Sequence, residues 1–115
     1  MVVITGGATG IGAAAVRKFA SEGYDVALLD INSEAGSELS TEKHRGKIQF
    51  IQTDVRYRGA LQESVDQAVQ QFGPPSVLFA NAGIQKLSSL FSLKEEDVDA
   101  IIDVNLKGTL YAVTA

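Results

Sequence analysis

Three features of this chain predict an α/β fold built on a doubly wound parallel sheet. Short apolar runs alternate with helical patterns along all 115 residues. The runs within 2–5, 25–29 and 77–80 are nearly continuously apolar, as expected of strands covered on both faces. The first run passes through a glycine-rich turn into a helix, and an acid closes the second run. The length fits one domain over residues 1–115. Right-handed crossovers then give the four strands the order 3-2-1-4, a Rossmann-type arrangement.

The first predicted strand spans 2–5. It runs into Thr5-Gly6-Gly7-Ala8-Thr9-Gly10-Ile11-Gly12, and Gly10-x-Gly12-x-x-Ala15 fits the pattern G-x-G-x-x-G/A. Gly6, Gly7 and Gly10 read as positions of positive φ. Gly12 reads as a point of close backbone approach to a phosphate, and Ala15 as the contact that seats the helix on the sheet. The helix predicted over 11–22 places Gly12, Ala15, Val16, Phe19, Ala20 and Gly23 on one face, with Gly23 as its stop. Its N-terminus offers unpaired N–H groups and partial positive charge to a pyrophosphate.

The second strand, 25–29, leads to Asp30, twenty positions after Gly10. An acid there accepts hydrogen bonds from ribose hydroxyls. The alternative is a glycine-rich turn of another α/β protein with Asp30 as a helix cap. Strand, loop, helix, strand and acid in that order argue against it. A mononucleotide phosphate loop is disfavoured, because it needs Gly-Lys-Ser/Thr and Ala13 follows Gly12.

The remaining elements read in order. A helix over 33–44 has a thin apolar face, and Gly36 inside it costs about 1 kcal/mol against Ala. A strand over 48–52 follows. A helix over 60–72 carries the stripe Leu61, Val65, Ala68, Val69 and Phe72, ended by Gly73-Pro74-Pro75. The fourth strand spans 77–80. The fourth helix, 93–115, opens on a capping-box pattern, Ser92-x-x-Glu95, with the stripe Val98, Ile101, Ile102, Asn105, Leu106 and Thr109.

Two asparagines stand out. A buried Asn105 amide must find partners or carry a desolvation cost of about 1–3 kcal/mol. On the residue alone, a satisfied structural amide is the favoured reading. Asn81-Ala82-Gly83 follows the fourth strand at the edge where ligands bind. A plain turn is the other reading there.

Composition narrows the function. The formal charge is −4 and basic residues form no cluster, which argues against nucleic acid as a partner. Without cysteine there is neither a disulfide nor a thiolate metal site. The lone His44, among Glu42, Lys43 and Arg45, reads as solvated on a surface helix, and no metal site is expected. There is no signal peptide pattern and no run of membrane-spanning length, so a soluble, cytoplasmic protein is expected.

Taken together, Thr5-Gly6-x-x-x-Gly10-x-Gly12, Asp30, Asp54-Val55, Asn81-Ala82-Gly83 and Asn105 resemble the short-chain dehydrogenase/reductase family. The resemblance covers essentially the whole chain and implies the N-terminal, cofactor-binding half of such an enzyme. It implies that Gly6, Gly10, Ile11 and Gly12 line the pyrophosphate and nearby nicotinamide. Asp30 would hold the adenosine ribose, and Asp54 with Val55 the adenine. Asn81, Ala82 and Gly83 would support the sheet and touch the cofactor. Asn105 would match the helix asparagine of the catalytic tetrad, where the backbone bends around a water. Asp30 would repel a 2′-phosphate, and Ile31 stands where NADP-preferring relatives commonly place a base, so NAD(H) is the expected cofactor. The sequence departs from the family at Ser76, near which an Asp is usual, and at Ala80, often a second Asn.

The resemblance also implies a small-molecule alcohol or ketone substrate. The family's chemistry uses a Ser and a Tyr-x-x-x-Lys. Leu28, Leu61 and Ala115 stand four places after the three tyrosines, so the motif is absent and the chain is expected to be a truncated, inactive portion. Self-association is expected, through the open edge Ser76 to Ala80 or a patch around Val98, Ile101 and Leu106 on the fourth helix. The alternative is a stand-alone, non-catalytic dinucleotide-binding module or sensor.

Overall fold

The computed structural model describes all 115 residues. Four strands, β1 (Val2–Thr5), β2 (Val26–Asp30), β3 (Ile48–Gln52) and β4 (Val77–Ala80), form one sheet in the order β3-β2-β1-β4. All pairings are parallel, so the four C-terminal ends share one edge. Two helices set the order. Helix α1 (Gly10–Ser21) carries the chain from β1 outward to β2, and α3 (Arg58–Phe72) returns it past β1 to β4. The direction of winding therefore reverses beside β1, where an α/β sheet opens a crevice.

Alternation along the strands feeds two cores. Val2, Ile4, Val26 and Leu28 pack with Val16 and Ala20 of α1 and Leu39 of α2 (Ser33–Ser40). Val3, Ala27, Leu29 and Ile51 face the other way, against Leu61 and Ala68 of α3 and Ala112 of α5 (Gly108–Thr114). Burial of one such aliphatic side chain contributes roughly 1.5–3 kcal/mol. With helices on both sides, every position of β1 and most of β2 is buried. Helix α1 ends as predicted, with Gly23 at φ 95° after the cap Glu22.

Helix α2 stops at Ser40, short of the predicted residue 44. Only Gly36 and Leu39 are buried in it, so nothing holds a further turn. A Cβ on Gly36 would overlap the Phe50 ring, so this glycine allows the helix to approach β3. His44 therefore lies beyond the helix. Its side chain is only 19% exposed and meets Glu42, which corrects the expectation of a solvated histidine.

The fourth helix differs most from its sequence reading. It divides into α4 (Glu95–Ile101), a π-helical segment Ile102–Lys107, and α5. No Ser92 capping box forms. Ser92 closes a 3-10 turn, Leu93 is extended, and Lys94 precedes α4 without a side-chain cap. The inward row is Ala100, Val104, Gly108 and Ala112, all buried or half-buried. A Cβ on Gly108 would stand 2.8 Å from Val55 Cγ2, so small residues bring this helix onto the sheet. Val98, Ile102 and Leu106 of the predicted stripe are exposed, and Ile101 is half-buried. No helix is long and apolar enough to cross a membrane.

Candidate functional site

At the C-terminal edge of the sheet lies a cavity of about 470 Å³. Every strand delivers residues to it: Gly6 after β1, Asp30 and Ile31 at the end of β2, Asp54 and Val55 after β3, and Asn81, Ala82 and Gly83 after β4. Ile11 joins them from the first turn of α1. Gly10, Gly12 and Asn105 are not among the residues that line it.

The glycine turn is built by two different demands. Gly6 and Gly10 sit at φ 65° and 55°, a region other residues avoid. Gly7 does not share this conformation, contrary to its sequence reading. Its demand is room, because a Cβ would lie 3.0 Å from Leu28 Cγ. Gly12 answers to the chain itself. A Cβ there would overlap the Gly6 carbonyl and lie 2.7 Å from Asn81 Nδ2. The close approach it permits is thus of α1 to the β1 and β4 ends.

Helix α1 is left open where it meets the cavity. Thr9 is extended at the N-cap, its side chain makes no capping bond, and no acid occupies the first turn. The first N–H groups of a helix have no partner within it. Their partial charge here faces a site with Ile11 76% exposed at its rim.

Asp30 is anchored rather than capping. Its Oδ2 accepts from Ala8 N at 3.0 Å and its Oδ1 from Asn32 N at 2.9 Å. The cap of α2 is Asn32, which accepts from Ala35 N at 3.0 Å. The carboxylate therefore ties the glycine turn to the end of β2 and keeps lone pairs free for a ligand hydroxyl.

Asp54 is engaged by a residue the sequence reading missed. Arg56 Nη2 donates to Oδ2 at 2.6 Å, and Nε lies 3.0 Å from both oxygens. Arg56 N adds a bond to Oδ1 at 3.1 Å. The Arg56 guanidinium holds the Asp54 carboxyl below its usual range, and the carboxylate raises Arg56 in return. The only signal in the sequence was the short spacing Asp54-Val55-Arg56.

Around the cavity, polar side chains splice distant backbone. Thr5 Oγ1 accepts from Asn81 N and Ala82 N, both at 3.1 Å. Asn81 Nδ2 donates to Thr5 O at 3.2 Å and Gly6 O at 3.0 Å. Asn105 Oδ1 accepts from Ile84 N at 2.8 Å, and its Nδ2 donates to Ile84 O at 3.0 Å. Asn105 is exposed rather than buried, which corrects its placement on a core-facing stripe; its amide is nonetheless satisfied, and it sits in the π segment. Such segments insert an extra residue in a turn and recur at functional sites.

No group of three or more His, Asp or Glu converges anywhere in the chain. The cavity's charged groups are Asp30, Asp54 and Arg56. An open helix N-terminus and an anchored acid on one cavity can hold a ligand with an anion and a hydroxylated sugar.

Known proteins agree. Residues 1–115 match the short chain dehydrogenase family. The 3-oxoacyl-(acyl-carrier-protein) reductase FabG of Thermotoga maritima is 43% identical over 108 residues, which cover 92% of this chain and 44% of that protein. An alcohol dehydrogenase from Thermococcus sibiricus complexed with 5-hydroxy-NADP superposes with a TM-score of 0.92 at 28% identity, over 98% of this chain and 50% of the other. A 3-ketoacyl-(acyl-carrier-protein) reductase from Brucella melitensis complexed with NADH gives 0.91 at 25% identity, over 98% and 46%. The chain spans less than half the length of the curated relatives it matches. A family match over every residue, together with the high structural overlap, means that the chain belongs to the short-chain dehydrogenases.

Proposed function

We propose that this chain binds NAD(H) and forms the dinucleotide-binding domain, residues 1–115, of an oxidoreductase acting on a small alcohol or ketone in the cytoplasm. The observation that carries this reading is the pairing of an uncapped α1 N-terminus with the anchored Asp30 carboxylate in one cavity. The N–H groups at Gly10 to Gly12 take the pyrophosphate. Asp30 takes the adenosine ribose hydroxyls. Asp54, Val55 and Ile31 flank the adenine, and Gly6, Ile11 and Asn81 to Gly83 form the nicotinamide side.

The bound nicotinamide supplies the hydride donor or acceptor. The chain's own part is to bind and orient it. Asn105 belongs to the catalytic set in this reading: it fixes Ile84 at the cavity wall, and its π-helical backbone runs beside Val104 on that wall. Proton transfer falls to groups other than the tyrosines here, none of which heads a Tyr-x-x-x-Lys.

The preference for NAD over NADP rests on charge. A 2′-phosphate would meet the Asp30 carboxylate, an unfavourable contact on the order of a few kcal/mol near a protein surface. The cavity's one cation, Arg56, is already paired with Asp54. Calorimetric titration with NADH and NADPH tests both parts. The expected result is NADH binding at least ~10-fold tighter, with the gap narrowed in Asp30→Ala. Equal affinities overturn the cofactor choice, and no binding of either overturns the function.

The same reading includes self-association. Val98, Ile102, Leu106, Leu110 and Val113 form an exposed apolar row, and β4 is an edge strand with Val77 and Leu78 exposed. Surfaces of both kinds favour pairing with another copy.

A further inference from the structure

We propose that Arg56 is a positioning residue that fixes Asp54 as the acceptor for the adenine amino group, and so sets a preference for adenine over other purines. The inference rests on the dinucleotide reading above. Topology orders the ligand. The pyrophosphate lies at α1 beside β1, and the ribose at the end of β2. The next strand outward is β3. The base therefore extends toward Asp54, the one carboxylate on the cavity wall besides Asp30.

An ionised carboxylate only accepts hydrogen bonds. The 6-amino group of adenine donates, whereas the 6-oxo group of hypoxanthine accepts. Asp54 discriminates between them only while it stays ionised and its plane stays fixed. Arg56 supplies both conditions. Its planar fork grips both oxygens from two residues away, and its own N–H adds a third point of attachment. The fork is braced in turn by Tyr57, whose ring centroid lies 5.4 Å from the guanidinium carbon.

The pair is placed for recognition more than for stability. Its side chains are 42% and 21% exposed. Ion pairs at such exposure add little to folding. A two-point grip adds direction, which a lysine cannot reproduce.

The test is titration of the chain with NADH and with reduced nicotinamide hypoxanthine dinucleotide, using the unchanged protein, Arg56→Ala, Arg56→Lys and Asp54→Asn. The unchanged chain is expected to favour NADH at least ~5-fold, since a hydrogen bond to a charged group supplies that much. Asp54→Asn should bring the ratio near one, because an amide can turn its donor to the 6-oxo group. Arg56→Ala should lower the ratio at least ~3-fold while the hypoxanthine dinucleotide binds as before, and Arg56→Lys should fall between. If Arg56→Ala weakens both ligands equally or leaves the ratio unchanged while Asp54→Asn collapses it, the positioning role is overturned and the site assignment stands. An unchanged chain that binds both dinucleotides equally also overturns it. If neither dinucleotide binds, the functional reading falls with it.

Discussion

The β1–β2 half and the β4–α5 half of this molecule use the same kinds of side chain and bury them to opposite extents. In the first, Val2, Ile4, Val16, Val26 and Leu28 are fully buried. In the second, Val77 and Leu78 are over a third exposed, and Leu106 and Leu110 over half. The difference lies in the layers. The central strands have helices on both faces, while β4 is an edge and the outer row of α4 and α5 faces solvent. Apolar character alone therefore does not decide burial. Position in the winding does. The half that is dry carries the glycine turn and Asp30, and the other half keeps apolar side chains exposed.

The largest effect expected from this contrast is in the dry half. Leu28→Ala should cost about 2–5 kcal/mol in denaturant unfolding, because the buried site cannot fully collapse. Leu106→Ala, measured where the chain is monomeric, should stay within about 0.5 kcal/mol. Sedimentation should instead show Leu106→Ala shifted toward monomer. Equal losses of stability at the two sites would break the comparison.

Next in size is the seam between the halves. Thr5→Val keeps the shape of a residue that is 2% exposed but removes the acceptor of two N–H groups. A cost of about 1–3 kcal/mol is expected. Hydrogen exchange at Asn81 and Ala82 should quicken, while exchange at Leu28 slows or quickens only with global stability. Uniform change across both strands would show that the seam is not a distinct joint.

The smallest effect belongs to the surface of the dry half. Glu42 is pulled from 4.5 to about 2 by hydrogen bonds from Arg17 and then His44. Its folded value is lowered, so its contribution is fully present above the unfolded value and fades as pH falls toward 2. The denaturation midpoint of Glu42→Gln should therefore lie slightly below that of the unchanged chain at neutral pH and converge with it in acid. A gap that persists at pH 2 would assign the effect to something other than this charge.

Much of the frame was legible because continuous apolar runs and the 3.6-residue period each leave a pattern. The strands, α1 and α3 follow from these, the order 3-2-1-4 follows from right-handed crossovers, and Asp30 follows from its distance to the glycine turn. The facing of the fourth helix was not legible. It carries two apolar rows, and the larger side chains, Val98, Ile102 and Leu106, form the exposed one, so Val98 and Leu106 agree with the structure only in their expected role as a patch, and not as a core stripe. The buried row, Ala100, Val104, Gly108 and Ala112, is small because Gly108 must press on Val55. The π segment adds a residue per turn that no 3.6-residue pattern reveals. Arg56 went unseen because an exposed charge has no periodicity.

The sequence by itself determined the strands, α1, α3 and the chemistry of the turn, since each depends on residues near one another in the chain. Tertiary structure decided which apolar row is buried, and it joined Thr5 to Asn81 across 76 positions. It also showed that Gly12 is required by the chain's own packing. Those outcomes depend on which surfaces meet, and contact between distant surfaces is set only when the layers close.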